Sequence, residues 1–72
     1  MSEFNYAPTP ERERLIAILD DLQHRAMEVA LDTADPQVQH RFRNVAQGVA
    51  GQKSNLILDW VLADREQANT PG

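Results

Sequence analysis

The chain has no cysteine. That absence removes disulfide frameworks, thiolate zinc sites, iron–sulfur clusters and cysteine nucleophiles together. Long hydrophobic runs are missing too. The longest, Leu56-Ile57-Leu58 and Trp60-Val61-Leu62-Ala63, fall far short of the roughly 20 residues that cross a bilayer. The N-terminus lacks the basic segment and apolar core of a signal peptide. Scattered Lys and Arg amid frequent acids disfavour a basic membrane-surface helix. The expectation is a cytoplasmic protein with no membrane partner. A net charge of −4 argues against a generally basic nucleic-acid binder. At 72 residues the chain forms one domain at most and buries about 60% of its unfolded surface, too little for a deep substrate cleft.

What is present is helical periodicity. Thr9 suits an N-cap, with Pro10 at the first helical position and Glu11 and Glu13 in the first turn. Leu15, Ile18, Leu19, Leu22, Ala26, Val29 and Ala30 then recur at spacings of three and four, which predicts an amphipathic helix ending near Thr33. The link Asp32-Thr33-Ala34-Asp35-Pro36 ends in a second start signal, Asp35 as N-cap and Pro36 as first residue. A second stripe follows: Val38, Phe42, Val45, Val49, Leu56, Trp60 and Ala63, with Gln52 between Val49 and Leu56. Two helices joined so tightly lie antiparallel. The fold class is all-α, an antiparallel helical hairpin of two long helices. Residues 1–8 read as a flexible arm, 9–66 as the hairpin domain and 67–72 as a disordered tail. Gly48 and Gly51 leave a break open, since each glycine costs about 1 kcal/mol against Ala inside a helix. If the helix continues, Ala46, Ala50 and the glycines favour close helix approach.

The chain carries more apolar surface than one hairpin can bury. The main stripe of the first helix is Leu15, Leu19, Leu22, Ala26 and Val29, and a second flank runs through Ile16, Met27 and Leu31. Residues 56–63 are apolar all round except Asp59. Uncovered apolar patches mark interaction sites, and a symmetric dimer forming a four-helix bundle is the simplest cover. The expected protein interface is Ile57, Trp60 and Val61, with Ile16, Met27 and Leu31 second. Trp at a patch centre is a frequent hot spot. Phe4 and Tyr6 on the arm are expected to fold back as a staple, to pack on a neighbouring chain or to form a short linear motif.

Catalytic and metal patterns are absent from the spacing. Gly48-Val49-Ala50-Gly51 with Gln52-Lys53-Ser54 lacks the spacing and preceding strand of a phosphate-binding loop. His24 could share a metal with Asp20 or Asp21 by spacing, but it lies on the polar face, and the Glu-x-x-His motifs of bundle di-metal sites are missing. His40 stands alone in its helix. Ser2 and Ser54 have no His nearby in sequence. No cofactor, metal site or catalytic residue is expected, and the chain reads as a non-enzyme.

Charge is segregated. Residues 1–35 carry eight acids and three bases, residues 36–58 no acid but Arg41, Arg43 and Lys53, and residues 59–72 a net −2. Arg41 and Arg43 flank Phe42 and are expected to pair with Asp20, Asp21 or Glu28 across the hairpin. Such rim pairs contribute only about 0–1 kcal/mol each. In architecture alone the layout resembles small helical-hairpin proteins that dimerise, among them adaptors, co-chaperones and plasmid RNA-binding hairpins; no residue role is carried over. The sequence therefore predicts a protein–protein interaction module (adaptor, regulator or assembly factor) that forms a homodimer and binds another protein. The alternative is an RNA-binding hairpin dimer contacting nucleic acid through Arg41, Arg43 and Lys53.

Overall fold

The structure, a computed structural model, describes residues 6–69, with side chains to residue 67. It is a hairpin of two helices, α1 (Pro10–Asp32) and α2 (Pro36–Asn69), with no strand among the described residues. The start of α1 is made by Thr9, whose Oγ1 accepts from the Arg12 N–H at 3.1 Å, with Pro10 following. Three residues then turn the chain. The Thr33 N–H closes α1 on the Val29 carbonyl at 3.0 Å, and the Asp35 N–H donates to Thr33 Oγ1 at 3.1 Å. Asp35 caps α2 by accepting the Gln37 N–H on Oδ1 at 2.9 Å. Both caps satisfy donors that a helix start leaves without partners.

α2 runs unbroken through Gly48 and Gly51. A Cβ built on either glycine meets nothing within 4 Å, so neither is where the helices draw close. That role belongs to Ala26, Ala30 and Ala46, which with Val61 are the buried apolar residues among those described. α2 continues helical through 67–69, where the sequence places the start of the tail; residues 70–72 lie outside the described residues. So do residues 1–5, with Phe4.

Two cross-helix ion pairs give the register. Asp20 meets Lys53 and Arg12 meets Asp64. As residue numbers rise on one helix they fall on the other, which is the signature of an antiparallel pair. At about 1.5 Å per residue α2 is about 51 Å long, and the molecule measures 58 × 20 × 19 Å. It is one layer of two helices, with no third element to cover either broad side among the described residues.

Candidate interaction surface

The side of each helix turned to the other is set by its buried and half-buried residues. The centre of that side runs through Ile16, Leu19, Gln23, Ala26 and Ala30 on α1 and through Ala46, Ala50, Lys53, Ile57 and Trp60 on α2, with Val61 beside Trp60; Arg12, Met27, Val38, Gln39, Val49, Leu56 and Asp64 are half-buried around it. Apart from Val61, next to Trp60, the spacing is three and four, the repeat of a helix seam. On α1 the residues one step before the seam are Leu15, Ile18, Leu22 and Val29, and all are exposed. On α2 the corresponding residues include Val45, which is exposed, and Val49 and Leu56, which are half-buried; Phe42, exposed, continues their row.

One residue step turns a right-handed helix by about 100°. The residue before each seam position is therefore displaced to the same hand on both helices. In an antiparallel pair that hand falls on the same broad side. Leu15, Ile18, Leu22 and Val29 thus join Phe42, Val45, Val49 and Leu56 in one apolar face, interrupted by Arg25 and Gln52. Leu22 and Val45 keep 48% and 50% of their surface.

This divides the expected assignment on α1. Of the main stripe, Leu19 and Ala26 face the seam while Leu15, Leu22 and Val29 are left open; of the supposed outer flank, Ile16 and Met27 are half-buried and Leu31 is exposed. The reason is side-chain volume. Alanines at 26, 30 and 46 let the helices meet closely, and that brings the neighbouring positions into the seam. Of the expected interface residues, Val61 is buried within the chain, and Ile57, Trp60, Ile16 and Met27 are half-buried. Leu31 alone of the six is exposed, at 72%, away from the open apolar face.

At the open end of the hairpin a clasp holds Trp60. Tyr6 tilts against its ring at 5.4 Å between centroids, and the Arg12 guanidinium sits 5.2 Å from the ring centre. The same guanidinium makes two bonds to Asp64, Nη1 to Oδ2 at 2.8 Å and Nη2 to Oδ1 at 3.0 Å. The Ala7 N–H also donates to Asp64 Oδ2, at 2.7 Å. The Arg12 bonds, followed by that from Ala7, hold the Asp64 carboxyl below its ordinary range against the opposing effect of burial. Asp64 in turn raises the Arg12 guanidinium above its ordinary value. Sequence reasoning placed Tyr6 on a neighbour or a staple but missed Arg12 and Asp64. Their pairing is a contact across 52 positions, to which no local spacing points.

The basic segment divides. The Lys53 ammonium is engaged by Asp20. Arg41 and Arg43 make no ion pair among the described residues, contrary to the pairing expected with α1. The supposed acidic partners are satisfied within α1, Asp21 by Arg25 at 2.9 Å and Glu28 by His24 at 3.0 Å. The helical i,i+4 neighbour is already at hand, whereas the turn end of α2 faces α1 with other positions. His24 therefore sits in an exposed pair with Glu28. No group of three or more potential ligands is placed to hold a metal ion among the described residues. No helix of the described chain is long and apolar enough to cross a membrane. In comparisons with known proteins, no family model, curated protein or solved structure matches the chain.

Proposed function

We propose that the chain is a non-enzymatic protein–protein interaction module of the adaptor, regulator or assembly-factor kind. Its hairpin pairs with a second copy to complete a four-helix bundle. One observation carries this reading: exposed Leu15, Ile18, Leu22 and Val29 of α1 and Phe42 and Val45 of α2 share one broad side with no described element upon it, while Leu31, Leu58 and Leu62 are exposed elsewhere. Contiguous apolar surface of this kind marks interaction sites, and a hairpin dimer is the smallest assembly that gives each helix two neighbours. Light scattering coupled to size exclusion tests it. The expected mass is about 16 kDa, twice the 8.1 kDa chain, and a single-chain mass throughout the micromolar range would overturn it.

A second reading draws on the unpaired Arg41 and Arg43, which with Lys53 would contact the phosphates of an RNA. Its signature is an affinity that falls steeply with salt. Absence of binding at low salt removes it.

A further inference from the structure

The open face has four charged corners. On the edge of α1 stand Arg14, towards the open end of the hairpin, and Asp32, at the turn. On the edge of α2 stand Arg41, near the turn, and Asp59, towards the open end. All four are exposed, and none makes an ion pair among the described residues. Each helix separates its two charges by eighteen positions, a span of about 27 Å. The register given by Asp20 and Lys53 sets Arg14 level with Asp59, and Asp32 level with Arg41. Signs therefore alternate around a rectangle enclosing the apolar rows. Between the α1 corners lies the Asp21–Arg25 pair, which is neutral as a unit. Beyond the rectangle, at the open end, stand two further exposed acids, Glu11 heading the Leu15 row and Glu66 following Asp59 along the edge of α2.

We infer that the occupant of this face is a second copy of the chain, laid face to face with corners of opposite sign in register. The inference rests on the self-association proposed above and specifies its surface. A two-fold axis in the plane between the copies brings every corner over an opposite charge. With the axis along the helices, Arg14 meets Asp59 of the second copy and Asp32 meets its Arg41. With the axis across them, Arg14 meets Asp32 of the second copy and Arg41 meets its Asp59. A self-complementary patch is what a two-fold interface requires, and like charges placed opposite one another would disfavour other registers.

A compact protein of this mass exposes about 4,500 Å², whereas the chain exposes 5765 Å². The excess belongs to a rod of two helices with both broad sides open, surface that a second copy would reduce. Apolar rows and alternating corners point to the same occupant.

The test uses the full chain, with mass by light scattering, dissociation constant by dilution and helicity by circular dichroism. Leu22→Glu is expected to halve the mass while helicity stays, whereas Leu31→Glu, at an exposed site off this face, leaves a dimer. Arg41→Glu is expected to raise the dissociation constant roughly tenfold, because two symmetry-related attractions become repulsions. Adding Asp59→Arg restores it if the two turns lie at opposite ends; adding Asp32→Arg restores it if they lie at the same end. A Leu22→Glu chain that remains dimeric overturns the assigned face while leaving self-association standing. An unchanged constant in Arg41→Glu, or rescue by neither second change, overturns the corner pairing. A monomeric wild-type chain defeats the underlying reading instead.

Discussion

The two sides of the same helices are built from different residues. The seam between α1 and α2 buries Ala26, Ala30 and Ala46, and its ends are tied by Asp20–Lys53 and by the clasp around Trp60. The neighbouring broad side carries leucine, isoleucine, valine and phenylalanine with nothing over them. A hairpin built to stand alone would put its large side chains inside and alanine outside. Here the seam mixes alanines with Ile16, Leu19, Ile57, Trp60 and Val61, and a further set of large apolar side chains stays exposed beside it.

The contrast can be broken most forcefully at the seam. Ala30, with no exposed surface, has no room for a larger residue. Ala30→Leu is expected to destabilise the fold by about 1–3 kcal/mol through overpacking, read as a lower urea midpoint. A neutral outcome would show that the seam is loose and the alanines are incidental. Away from the seam the opposite sign is expected. Gly48 and Gly51 lie in a continuous helix with open space where a Cβ would go, so alanine at each should raise stability by about 0.5–1 kcal/mol. A loss there would place the glycines against a partner.

The smallest effect concerns the clasp that closes the seam's open end. The Asp64 carboxyl is held below the ordinary 3.8 of an aspartate by its bonds from Arg12 and Ala7, so its contribution is fully present above that ordinary value. As pH falls through the lower value in the folded chain, the contribution is lost. Between pH 7 and the acid range Trp60 fluorescence is expected to shift as Arg12 and Tyr6 release the ring. Asp64→Asn should remove that acid-dependent step and leave α1 and α2 helical. A titration unchanged by Asp64→Asn would mean that another group governs the ring's surroundings.

Much of the hairpin was legible in the chain. Thr9-Pro10 and Asp35-Pro36 mark both helix starts because capping is local chemistry, decided by a side-chain oxygen three residues or fewer from the N–H it receives. The length of the turn forces antiparallel packing. Uncovered apolar surface was also legible, since two flanks of one helix cannot both be buried by one neighbour. Its location was not. Ile57, Trp60 and Val61 read as outward because residues 56–63 are apolar nearly all round, yet all three are half-buried or buried within the chain. Tyr6, Arg12 and Asp64 come together around Trp60 only because the register brings them level.

The sequence by itself determined the elements: two capped helices, their boundaries near Thr33 and Pro36, and an apolar content beyond what one seam absorbs. These follow from interactions within about four residues. Only the tertiary structure decided which apolar stripe faces inward. Adjacent positions on a helix differ by about 100°, and both Leu15 and Ile16 are large and apolar, so hydrophobicity cannot choose between them. The choice depends on how closely two backbones approach, a joint property of alanines on both helices. Once they meet at Ala26, Ala30 and Ala46, the leucine row and its charged corners turn together to one open side.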